Sequence, residues 1–119
     1  MTKPNVLPEV CSDCPFRRKS APGWLGELMY QPRAFLAPYW HGAQRNPCHK
    51  AINFRRDDWE AQAATAPLCR GMLIFAANNC KRLDNPEAAA ALAEVSEDRD
   101  AIFSWEQEFY DHHERKIKG

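Results

Sequence analysis

The sequence predicts a mainly α protein, a small single domain with an irregular, metal-stapled N-terminal half and two to four helices in its C-terminal half. Three observations predict it. Seven of the nine prolines fall within residues 1–50, and each fixes φ and removes an N–H donor, which disfavours long regular elements there. Helical spacing and capping signals concentrate beyond residue 66. Signals for β-strands are scarce throughout.

In chain order, the first expected element is a short helix over Pro32 to Ala37, with Pro32 at the first helical position. Around it stand Phe16, Trp24, Tyr30, Phe35, Tyr39 and Trp40, an aromatic-studded region of the kind a metal centre organises. Next comes CRGMLIFAANNCKRL, residues 69–83, where Leu68, Met72, Phe75 and Asn79 follow helical spacing. Asn85-Pro86 then reads as an N-cap and first-turn proline for the helix AAAALAEV. Ser96 offers another cap, with acids at 97, 98 and 100 suiting a helix start. Ile102, Trp105, Phe109 and His113 would line one face of the last helix, and Arg115, Lys116 and Lys118 its C-terminal end.

At 119 residues and 45% hydrophobic composition, the chain suits one domain with a modest core, in the size range where a metal staple helps. MTKPNVLPEV lacks the apolar stretch of a signal peptide, and Met72 to Ala77 is too short to span a bilayer. These features predict a soluble, cytoplasmic protein with no membrane partner. Net charge is zero but uneven: residues 1–83 hold twelve Lys/Arg against six Asp/Glu, and residues 84–119 four against ten. The chain thus divides into a basic, four-cysteine core (1–83) and an acidic helical extension (84–119) packed on the same domain. Either the basic part meets nucleic acid or the two parts neutralise each other.

Five cysteines in a cytosolic chain fit four metal ligands plus a spare better than a disulfide framework. Cys11 and Cys14 form a C-x2-C pair, and Cys48 and Cys69 complete a four-thiolate set spaced C-x2-C-x33-C-x20-C. A thioredoxin-type dithiol would need a βαβ setting that the surrounding proline-containing coil does not provide. In an unbroken helix Cys69 and Cys80 stand about 16 Å apart, too far to share one centre. Cys80 is then expected to be a buried apolar filler. Cys69, at a helix start where N–H groups favour a thiolate, is the better ligand, and Gly71 would let backbone approach a bulky centre. His49 beside Cys48 is the rival ligand. His41, His112 and His113 are not expected to bind metal, the last two being solvated on a charged helix.

CPFR at 14–17, PCHKA at 47–51 and CRGMLIF at 69–75 together resemble small phage and prophage proteins with a CxxCPFR…PCH…CxG-hydrophobic layout. The resemblance covers roughly the first two thirds of the chain, and Arg70 replaces the small residue usual between cysteine and glycine. It implies a metal or cluster protein with Cys11, Cys14, Cys48 and Cys69 as ligands, and says little about activity. The acidic C-terminal helix lies outside the match.

Structural zinc usually pairs one knuckle with another, whereas here one C-x2-C joins two isolated cysteines, and Cys-Pro recurs in iron–sulfur ligation. The expectation is a [4Fe–4S] cluster, with Zn2+ as the alternative. Arg17, Arg18 and Lys50 would balance the negative centre, or Arg17, Arg18, Lys19, Arg55 and Arg56 would contact a partner. Three roles follow. A regulator or accessory protein would use the basic half, with Trp24, Trp40, Trp59 and Tyr39, to hold nucleic acid. A host- or defence-protein blocker would use the acidic helix with Trp105, Phe109 and Tyr110. A redox-active iron–sulfur protein would signal through the cluster. No HExxH, deaminase, P-loop or nucleophile-elbow pattern is present, which weighs against catalysis.

Overall fold

A computed structural model describes residues 4–25 and 31–118, leaving aside the side chains of His49 and of residues 115–118. It is mainly α, as the sequence predicts. Among the described residues five α-helices run in order: α1 (Pro32–Trp40), α2 (Trp59–Thr65), α3 (Arg70–Asn78), α4 (Pro86–Leu92) and α5 (Glu106–Lys118), with a 3-10 turn at His49–Ala51. Among the described residues there is no β-strand, only three isolated bridges. No described helix is long and apolar enough to cross a membrane.

Helix α3 is the hub. Gly71, Met72, Leu73, Ile74, Phe75, Ala76 and Asn78 are all buried, the pattern of a helix apolar on every side and therefore surrounded. Helix α4 packs on it, α1 packs on α5, and α2 meets the 3-10 turn. At the centre Phe16 stacks on Phe109 (4.8 Å between centroids) and leans on Phe75 (5.1 Å). One ring from each of three distant segments meets there. Such aromatic pairs contribute about 0.5–1.5 kcal/mol beyond their burial.

Local chemistry explains most helix ends. Pro32 opens α1 as expected, but the helix continues three residues past Ala37 and carries Pro38 inside it. Asn85 caps α4, its side chain accepting from the Ala88 N–H at 2.9 Å, with Pro86 next. Helix α3 closes in a Schellman arrangement: Lys81 N–H donates to Ala76 O and Cys80 N–H to Ala77 O. That closure places Cys80 at φ 54°, in the left-handed region where glycine usually sits.

Several expectations are corrected. No helix starts at Ser96, because Asp98 turns the chain instead, its carboxylate accepting from the Asp100 and Ala101 N–H groups (3.2 and 3.1 Å). Ile102 is buried in a bridge with Arg17, not on a helix. Trp105, expected on the apolar face of α5, is 57% exposed, and Glu108 accepts from its N–H as in a capping box. Cys80 is exposed rather than buried, since α3 ends before it. His113, expected in solvent, is fully buried.

The basic and acidic parts of the chain pair with each other. Arg18–Glu108 (2.9 Å), Arg33–Glu114 (3.3 Å) and Arg45–Glu87 (2.7 Å) all cross between them. Much of the charge asymmetry is thereby spent inside the molecule.

Candidate metal centre

Two remote segments are brought together by the short stretch before α3. Leu68 bridges Val6 in parallel and Pro47 in antiparallel sense. Its N–H donates to Asn5 O at 2.6 Å, and its carbonyl accepts from Leu7 N–H at 3.2 Å. On the other side Cys48 N–H donates to Pro67 O (2.7 Å) and Cys69 N–H to Asn46 O (2.9 Å). Cys48 and Cys69 therefore sit on paired backbone, while the chain leaving Val6 and Leu7 leads into Cys11 and Cys14.

The C-x2-C loop is a tight turn, with Cys14 N–H donating to Cys11 O at 3.1 Å. Each residue of CPFR helps to hold it. Cys14 is buried, the Pro15 carbonyl accepts from His113, and Phe16 enters the aromatic core. Arg17 folds back so that its guanidinium donates to Cys11 O (2.7 Å) and Val10 O (2.8 Å). Beyond the loop, residues 16–18 run antiparallel to 101–103 through Arg18 N–H to Ala101 O and Phe103 N–H to Phe16 O.

Cys14 and Cys69 sulfurs lie 3.9 Å apart, both buried, and Cys69 is the N-cap residue of α3. The contact with Cys14, then burial, hold the Cys69 thiol well above its usual range, while the N–H dipoles of Met72 and Gly71 act the other way. Burial raises the Cys48 thiol as well; the Lys50 N–H opposes this, and Cys69 and Cys11 add to it. Negative charge on Cys14 thus disfavours the Cys69 thiolate, and charge on Cys69 or Cys11 the Cys48 thiolate. A bound cation would reverse that repulsion.

Gly71 is where backbone and sulfur come closest. A Cβ there would collide with Cys14 Sγ and stand 3.4 Å from Val10 Cγ1. The notch admits a sulfur only because position 71 carries no side chain. Among the described residues no three His, Cys, Asp or Glu side chains stand close enough to hold a metal ion as placed. The contact present is the Cys14–Cys69 pair, with Cys11 and Cys48 on the flanking loops.

The other predicted site residues scatter. The His49 side chain lies outside the described residues, and Cys80 is exposed beyond the far end of α3. Arg17 is engaged by the loop carbonyls, and Arg18 by Glu108, Ser104 and the Arg99 carbonyl. Lys19, Arg55 and Arg56 are exposed, Arg56 pairing with Asp58 at 2.9 Å. Lys50 pairs with Asp13 at 2.7 Å, and that bond, ahead of the nearby Cys11 and Cys48, raises its ammonium. Of the aromatics expected to stack bases, Trp40 is buried and donates to Glu106 at 2.6 Å, whereas Trp59 is half-buried against Phe54. Phe109 and Tyr110 are buried, leaving Trp105 as the exposed aromatic among those named on the acidic side.

The sequence reading missed two residues. Asn78 is fully buried and its amide holds the chain turn after α4, donating to Asp98 O and Phe103 O (both 3.0 Å) and accepting from Asp98 N–H (2.9 Å). Asn46, two residues before Cys48, is buried with neither amide atom hydrogen-bonded among the described residues. An asparagine within an otherwise apolar helix was the available signal for Asn78; Asn46 carried none. No family model, curated protein or solved structure matches the chain.

Proposed function

We propose that the chain is a non-enzymatic, phage-type accessory or regulatory protein in which Cys11, Cys14, Cys48 and Cys69 hold one four-thiolate centre. It acts in the host cytoplasm by binding a partner, nucleic acid first and a host protein second. The observation that supports the centre best is the convergence of the Cys11–Cys14 and Cys48 segments on the Leu68–Gly71 stretch that carries Cys69, where the Gly71 notch receives the Cys14 sulfur. Buried thiols with aromatic and aliphatic neighbours make a shielded site. The favoured occupant is a [4Fe–4S] cluster, on the argument from one C-x2-C with two isolated cysteines.

Zinc is the second reading, and one distance favours it. Four Zn–S bonds of about 2.3 Å place neighbouring sulfurs ~3.8 Å apart in a tetrahedron, against 3.9 Å between Cys14 and Cys69. Serine substitutions map the ligands for either occupant. Cys11→Ser, Cys14→Ser, Cys48→Ser and Cys69→Ser should each abolish stoichiometric metal, and Cys80→Ser should leave it intact. Metal retained by any of the first four removes that residue from the site.

For the partner, Lys19, Arg55 and Arg56 are the exposed cations of the predicted basic set. Binding to single-stranded DNA or RNA should weaken with salt and fall when these three become alanine. No binding at low salt sinks the nucleic-acid role. Exposed Trp105 is what favours a protein contact, and Trp105→Ala should then abolish recovery of a host protein.

A further inference from the structure

A cavity of about 230 Å3 opens beside Cys69, between α1, α2 and the loop that leads to Cys48. Phe35, Tyr39, Phe54 and Trp59 contribute aromatic walls and Met72 an apolar one. Among the described residues that line it there is no Asp, Glu, Lys or Arg, which fits a neutral occupant. Its size lies below the roughly 300–1,000 Å3 of drug-sized sites, which suits a compact ring system.

Asn46 lines this cavity at 2% exposure, and among the described residues both its Nδ2 and its Oδ1 lack a hydrogen-bond partner. Buried polar groups are nearly always satisfied, and leaving an amide donor and acceptor both unmade is costly. Its backbone carbonyl, by contrast, is engaged by Cys69 N–H. That bond fixes where the side chain starts. The unfilled requirement is specific: one acceptor and one donor, adjacent and coplanar, on a flat apolar body.

We propose that the cavity binds a nucleobase, adenine in the first instance, with the Asn46 amide read against adjacent donor and acceptor atoms on the base edge. Asparagine makes this two-bond contact with adenine through the base's N6 donor and N7 acceptor. Aromatic side chains stack on bases without regard to sequence. Phe54, Trp59 and Tyr39 supply such rings here. The base reaches the cavity either as a free nucleoside or as one residue of a single strand. The inference goes beyond the metal centre, which the cavity adjoins at Cys69.

The test uses the protein as purified, with metal content measured in every sample so that loss of the centre and loss of the cavity are told apart. Adenosine is titrated by calorimetry alongside 7-deazaadenosine, which lacks the N7 acceptor. Adenosine should bind, the analogue at least about tenfold more weakly, and Asn46→Leu should lose at least about tenfold in adenosine affinity. Because Leu removes the orphaned amide, Asn46→Leu should melt no lower than the parent, which separates lost recognition from lost fold. Short single-stranded oligo(dA) and oligo(dT) distinguish the sources. Tighter binding of oligo(dA) than of adenosine assigns a strand, and the reverse assigns a free nucleoside. Failure of both adenosine and oligo(dA) to bind overturns the proposal. So does equal binding by Asn46→Leu, or a crystal structure of an adenosine-soaked protein with water alone on the amide.

Discussion

His113 should make the protein sensitive to mild acid by a calculable amount. Its ring is fully buried on α5, with Nε2 donating to Pro15 O at 2.8 Å and Nδ1 accepting from Gly23 N–H at 3.0 Å. Those two bonds require the neutral imidazole, since a proton on Nδ1 would face the Gly23 N–H. Burial, helped by His112 and opposed by the Pro15 carbonyl, pushes its pKa from 6.5 down to about 4. Between those values the unfolded chain takes up the proton and the native one does not. Stability from this residue is therefore complete above about pH 6.5, declines as pH falls, and is exhausted near pH 4. At ~1.36 kcal/mol per pH unit the whole loss is about 3 kcal/mol. Urea melts followed by tryptophan fluorescence at pH 7.5 and pH 4.5 measure it. Carboxylates and metal release contribute acid sensitivity of their own, so the relevant quantity is the difference from His113→Gln, which cannot titrate. The variant should be weaker at pH 7.5 and lose about 2–3 kcal/mol less on acidification. Parallel losses in the two proteins would refute the reasoning.

The remaining predictions concern the two ends of α3. Gly71→Ala places a methyl against Cys14 Sγ and should destabilise by about 1–3 kcal/mol, despite alanine's better helix propensity. It should also lower metal stoichiometry; a stabilised variant with full metal would show that the notch is not needed. Cys80→Gly relieves a left-handed residue at the Schellman position and should raise stability by about 1 kcal/mol with metal unchanged. A lower urea midpoint, or lost metal, would contradict the assignment of Cys80 to the helix end.

The legible parts of the fold were those decided by neighbours in sequence. Pro32 and Asn85-Pro86 start helices through their own backbone and side-chain chemistry, and the spacing of Met72 and Phe75 fixes α3 as apolar. The separation of Cys69 from Cys80 was legible too, although the exposure of Cys80 was not: it follows from a helix end set by Asn79 and the turn beyond it. What failed depended on partners far away. Ser96 looks like a cap until Asn78, eighteen residues earlier in the chain, binds the Asp98 backbone. His113 looks solvated until the Pro15–Gly23 loop covers it. Arg17 and Arg18 look like a basic patch, yet one holds the C-x2-C loop and the other anchors α5. For the candidate centre, the sequence pointed to four cysteines but not to the device that gathers them, because the two isolated bridges at Leu68 leave no periodic signal.

The most direct measurement is anaerobic purification followed by an absorption spectrum and iron, sulfide and zinc analysis on the same sample. A brown protein with iron and sulfide in equal amounts is the predicted result. Stoichiometric zinc in a colourless protein would exchange the cluster for the second reading and keep the four thiolates. Protein that folds, melts cooperatively and binds neither would contradict the claim that Cys11, Cys14, Cys48 and Cys69 form one metal centre.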